Sequence, residues 1–145
     1  MSLITLATLA QHTAQEVFDQ AVKHLLTQAK PSLTFSCNKN RCVYLNENGL
    51  KCVAGCFIAD DEYKPEFESK SWLSLAEDQA VPEAHKALIY DLQTMVHDKP
   101  FVPAKNRHTV REWPLFLTEV AQKHDLSADK VYAMYPDFYV ALSIK

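Results

Sequence analysis

Apolar residues recur at helical spacing in several stretches of the chain and at strand-like spacing in one. Val17, Phe18, Ala21, Val22, Leu25 and Leu26 fall on one face if residues 14–29 are helical. Thr13-Ala-Gln-Glu16 precedes them as a capping box, in which hydroxyl and carboxylate each take the other residue's backbone N–H. A second stripe, Ala84, Leu88, Ile89, Leu92, Met95 and Val96, predicts a helix opened by Pro82 in its first turn. The third, with Trp113, Phe116, Leu117, Val120 and Ala121, starts either at the capping box Thr109-Val-Arg-Glu112 or at Trp113-Pro114. Ser127 caps a last helix with Val131, Met134 and Tyr135, broken at Pro136, and a short helical piece is expected around Trp72 and Leu73.

The stretch RCVYLNENGLKCV reads differently. Two short runs rich in Val, Leu and Tyr flank Asn48-Gly49, a strong local hairpin signal. LTFSCNKN is read as the loop leading into it, and CVAGCFIA fits a continued strand or a short buried helix. The fold class expected is α+β: one mostly helical domain, residues 1–145, with a small β-hairpin after the first long helix. Its parts are an N-terminal arm (1–12), a helix (13–30), a cysteine hairpin (41–56) and a helical part (82–145).

Composition narrows the function classes. A chain of 145 residues buries a core without needing disulfides or a structural metal. The formal charge of −3, from 15 basic and 18 acidic residues, has the wrong sign for a phosphate-driven DNA binder and is too small for a nucleic-acid mimic. The apolar start MSLITLATLAQHT has no Lys or Arg ahead of it and is read as an arm rather than a secretory signal. No apolar run approaches the ~20 residues of a membrane span, so the expected location is the cytoplasm, where four cysteines stay reduced. With only Gly49 and Gly55, neither a Walker loop, a dinucleotide fingerprint nor a nucleophile elbow can be built.

Cys37, Cys42, Cys52 and Cys56 raise three readings: core filler, metal ligands or reactive thiols. Four thiolates suffice for a tetrahedral zinc site, but C-x4-C and C-x3-C are not the paired C-x-x-C knuckles of zinc ribbons. The turn decides the geometry. A two-residue loop pairs Glu47 with Leu50 and points Cys42 away from Cys52, whereas a three-residue loop with Gly49 left-handed pairs Asn46 with Leu50. The second register brings Cys42, Tyr44 and Cys52 onto one face. Buried cysteine behaves as a small hydrophobe, and core packing is the reading adopted, with no cofactor expected and zinc as the alternative. A cysteine nucleophile needs a base. Of the six histidines, His85 reads as a hydrogen-bonded core residue and His97-Asp98 as a helix-end cap. Gly55 implies close backbone approach by a neighbour. Asp60-Asp61-Glu62 reads as a solvated acidic face or a helix-end cluster, and Lys105, Arg107 and Arg111 as a loose basic stretch able to touch phosphate.

From Cys42 through Tyr63 the pattern C-x-Y-x4-G-L-K-C-x-x-G-C-x-I-x-D-D-E-Y resembles that of small proteins of tailed phages and prophages, a group with no established activity. The segments TLATLAQHTAQEVFDQAVKHLLTQ, LIYDLQTMVHD and REWPLFLTEVAQKHDL resemble the same group in the same order. KPFVPAKNRHTV is longer than the usual pattern. The resemblance implies an accessory protein made in a bacterial host cell, acting by binding a host, defence or phage protein. It places Cys42, Tyr44, Gly49, Cys52, Gly55, Cys56, Asp60, Asp61 and Tyr63 in a structural motif. The expected protein is therefore non-enzymatic, a monomer or small homo-oligomer with a protein partner. The alternatives are a zinc-binding domain using Cys42, Cys52, Cys56 and either Cys37 or a histidine, in contact with nucleic acid, and a thiol-dependent enzyme.

Overall fold

The computed structural model describes residues 3–36, 39–99 and 112–135. Among them five α-helices surround one core, and a two-stranded antiparallel hairpin follows the first long helix, as the α+β reading expects. That helix, α1 (Ala14–Gln28), has both halves of its capping box: Thr13 Oγ1 accepts from Glu16 N at 3.1 Å, and Glu16 Oε1 accepts from Thr13 N at 2.9 Å. Its stripe Val17, Phe18, Ala21, Val22 and Leu25 is fully buried, each large apolar side chain contributing about 2 kcal/mol over an exposed one. The helix ends at Ala29, left-handed at φ 56°, before Pro31 is reached. A Cβ disfavours that conformation by about 1 kcal/mol. Ala29→Gly is therefore expected to raise stability by roughly 0.5–1 kcal/mol, read as a higher urea midpoint at unchanged slope.

The hairpin lies earlier than residues 41–56. Strands β1 (Leu33–Ser36) and β2 (Lys39–Cys42) pair from Leu33↔Cys42 to Ser36↔Lys39, so LTFS is strand and not a lead-in loop. Past Cys42 the polar side chains take over. Asn46 accepts from the N–H groups of Asn48 and Leu50 and donates to Leu33 O, leaving one bridge, Leu45↔Lys51, across the Asn48-Gly49 turn. The turn itself has the three-residue register: Asn46 N bonds Leu50 O at 2.9 Å, and Gly49 is left-handed at φ 81°. CVAGCFIA resolves into a helical turn, with Cys56 N on Cys52 O and a 3₁₀ segment at Gly55–Phe57.

Helix α2 (Trp72–Glu77) is capped by Ser71. The next helix, α3 (Lys86–Leu92), starts four residues after Pro82, because His85 is left-handed at φ 61° and hydrogen-bonds His12 O at 2.6 Å. It continues as a π-helical turn, Gln93–His97. Helix α4 (Trp113–Lys123) begins at Trp113-Pro114, and α5 (Asp129–Met134) follows Ser127, whose hydroxyl accepts from Asp129 N. The Thr109 capping box and the segment from Lys105 to Arg111 lie outside the described residues.

The arm packs on the body. Gln20 holds Ile4 at both N and O, and Glu62 accepts from the N–H groups of Leu6, Ala7 and Ala59. Glu62 is thus a clamp, a correction to the solvated-face reading of 60–62; Asp60 pairs with Lys51 at 3.1 Å, and Asp61 is exposed. From α1, Gln28 hydrogen-bonds both N and O of Lys51, and His24 Nε2 donates to the same carbonyl at 2.8 Å.

Burial holds the His24 pKa below its ordinary 6.5. The neutral ring is the form the fold keeps, so its contribution is present above 6.5 and is lost as pH falls from there toward the lowered value. The urea midpoint is expected to drop more in the parent than in His24→Gln between about pH 7.5 and about pH 5.5; equal drops would assign the acid sensitivity elsewhere.

Candidate functional site

Four elements converge beside Cys42. It ends β2, opposite Leu33; Ser32 lies one residue before β1; and Gln93, His97 and Asp98 come from the π-helical turn and the residue after it. A π-turn closes i→i+5 hydrogen bonds and so shifts the side chains that follow it off the α-helical register, and such turns concentrate at functional sites. Here Gln93, His97 and Asp98 all face the cysteine loop. Ser32 N–H donates to His97 Nε2 at 2.9 Å, His97 Nδ1 lies 2.8 Å from Asp98 Oδ1, and Gln93 Nε2 donates to that same oxygen at 2.6 Å. Gln93 Oε1 accepts from Ala54 N at 3.0 Å, tying the turn to the cysteine loop. The Cys42 thiol completes the group by hydrogen-bonding Asp98.

The amide donor fixes the tautomer. A backbone N–H can bond Nε2 only if that nitrogen carries its lone pair, so the proton of the neutral ring sits on Nδ1 and points at Asp98. The ring is fully buried and stacked on Trp113, with centroids 5.6 Å apart. His97 is therefore a buried hub, a correction to its reading as a helix-end cap.

The thiols are held protonated. Burial, assisted by the negative charge of Asp98, pushes Cys42 far above the ordinary range, and burial does the same to Cys52. Cys56 is pushed up to about 12, also by burial. Cys52 Sγ accepts from Gly55 N, and Cys56 lies on the other side of the loop, in a cleft of about 320 Å³ with Leu3, Gln20 and His24. Cys42, Tyr44 and Cys52 line a second cleft of about 260 Å³ with Glu68, Trp72, Tyr90, Gln93, Thr94 and Asp98. The ligating group that meets among the described residues is Cys42, His97 and Asp98, with donor atoms within 4.8 Å of one another. Three thiols do not converge in it, and Cys37 lies outside the described residues.

The motif residues hold the wall of this cleft. A Cβ on Gly55 would meet Tyr44 O at 2.2 Å, the close approach its glycine implied. Tyr44 donates its hydroxyl to Lys70 O and its N–H to Glu68, and Tyr63 donates its hydroxyl to Glu68 at 2.7 Å. Burial pushes the Tyr63 phenol up to about 12. The sequence pattern did not single out Gln93 or Glu68 as site residues, and it reads His97 and Asp98 only as a helix-end cap.

No helix among the described residues is long and apolar enough to cross a membrane. No protein-family model, no curated protein and no solved structure matches the chain.

Proposed function

We propose that the chain is a non-enzymatic binding protein, of the phage accessory type its sequence resembles, and that the cleft beside Cys42 and Asp98 meets a protein partner. One observation carries this reading: the groups able to do chemistry there are already engaged in holding the fold. Both ring nitrogens of His97 have partners, Asp98 bonds the imidazole, an amide and a thiol, and the thiols are kept protonated. A cysteine nucleophile needs a thiolate and a base free to take its proton. What the cleft offers instead is shape, three aromatic side chains and two carboxylates.

The test begins with capture from a bacterial host lysate, followed by purification of the captured protein and direct titration. Saturable binding that survives Cys42→Ser and is lost in Thr94→Trp, which fills the cleft from its exposed side, supports the reading. Binding untouched by Thr94→Trp moves the interface elsewhere, and turnover of a substrate abolished by Cys42→Ser without unfolding overturns the non-enzymatic assignment.

A second reading rests on the 4.8 Å cluster of Cys42, His97 and Asp98. A zinc ion takes such a donor set and would keep a fourth position toward the cleft. Loading requires the thiol proton to leave and the imidazole proton to shift from Nδ1 to Nε2 at the expense of the Ser32–His97 bond, so uptake is proton-coupled. Native mass spectrometry after zinc incubation decides it. A chelator-sensitive mass excess absent from Cys42→Ser supports the centre, and the bare chain mass removes it.

A further inference from the structure

Among the described residues the carboxylates of the cleft have no Lys or Arg as counter-charge, and Asp98 meets only the His97 ring, whose Nε2 accepts from an amide. Asp98 is bonded by the Gln93 amide, the His97 ring N–H and the Cys42 thiol, all neutral. Glu68 is bonded by the N–H groups of Tyr44 and Leu45, at 3.0 and 3.3 Å, and by the Tyr63 hydroxyl. Elsewhere the fold compensates such a group: the buried Asp91 pairs with Lys123 at 3.0 Å and with His124 at 2.7 Å. Glu62 also has only neutral donors among the described residues, but it is consumed in holding the arm.

Two further features accompany the negative charge. The cleft wall includes Trp72 and Tyr90, and aromatic faces attract cations. Trp72 is 1% exposed, and its indole N–H, like that of Trp113, has no acceptor among the described residues. A buried donor without an acceptor is costly, which makes this indole a sensitive reporter of any change at the wall. The volume of about 260 Å³ falls below the ~300 Å³ where pockets for drug-sized molecules begin, a size suited to one side chain. Lys70, exposed at the rim, is the cation nearest in the lining and pairs with neither acid.

We propose that this cleft receives an arginine side chain presented by the protein partner, its guanidinium on Asp98 and its stem along Tyr90. The inference rests on the cleft being the partner site and specifies what enters it. A guanidinium matches a carboxylate in fork geometry and stacks on aromatic rings, which an ammonium does less well.

The test titrates the full chain with blocked arginine, Nα-acetyl-arginine N-methylamide, following backbone and indole N–H signals by NMR. Saturable, salt-sensitive shifts of Asp98 and of the Trp72 indole are expected, weakened at least about tenfold in Asp98→Asn and absent with the citrulline analogue. Thr94→Trp, at an exposed position, gives the same loss should Asp98→Asn not fold. No saturable shift, or equal shifts with citrulline, overturns the proposal. So does zinc moving these signals when arginine does not, since the cation would then be a metal. A purified partner that binds the parent and Asp98→Asn equally, yet fails with Thr94→Trp, removes the arginine and leaves the partner site standing. Blocked arginine binding in the cleft beside a partner indifferent to Thr94→Trp does the reverse.

Discussion

Gly55→Ala is expected to cost the fold about 3 kcal/mol or more, a loss above a hundredfold in the folded-to-unfolded ratio. The added methyl would sit 2.2 Å from Tyr44 O, 3.0 Å from its carbonyl carbon and 3.3 Å from its Cα, all backbone atoms. Neither side can yield cheaply. Tyr44 is anchored by Glu68 at its N–H, by Lys70 O at its hydroxyl and by the edge of Trp72 at its ring. The Gly55 turn is anchored by Cys52 Sγ and by the Gln93 bond to Ala54. Gly49→Ala is the control: it meets nothing within 4 Å and carries only its left-handed backbone, for about 1 kcal/mol. Urea midpoints separate the two. Equal costs would mean that the Tyr44 loop moves away freely and that the contact at Gly55 holds nothing.

His97→Phe is expected to cost about 3 kcal/mol through a different mechanism. Phenylalanine roughly preserves the volume and the stack on Trp113 but leaves Ser32 N–H, fully buried, without an acceptor, and Asp98 without its ring donor. Water cannot replace the acceptor of the Ser32 N–H in so enclosed a place. The loss should appear in the urea midpoint and in faster alkylation of Cys42, as Asp98 loses one of the bonds that hold it. Unchanged stability and unchanged labelling would remove His97 from the structural network.

What could be read in advance was local. The capping box at Thr13, the α1 stripe and the tight approach at Gly55 each rest on residues within a few positions or on one residue type with one physical use. The register of the Asn48-Gly49 turn could be framed as two geometries, and the left-handed glycine selects one. The hub was not legible, because its bonds join Ser32 to His97 and Ala54 to Gln93, 65 and 39 positions apart, and no periodicity encodes such pairs. The π-turn compounds this by rotating His97 into the interior, where a regular helix end would face solvent. The strand at Leu33–Ser36 was missed because four residues give too short a pattern, and the more conspicuous Asn-Gly signal lay next to it.

Gln15, in the first turn of α1, hydrogen-bonds both the N–H and the carbonyl of Ser127, 112 residues later. The opening helix is thus closed by nearly the last described segment of the chain. During synthesis its apolar face is only partly covered, by α3 and the arm, until α4 and α5 have left the ribosome, so an unfinished polypeptide leaves part of the stripe Val17, Phe18, Val22 and Leu25 in water. Chaperone demand should therefore fall on the nascent chain, and a transcript cut short before Ser127 should yield insoluble product.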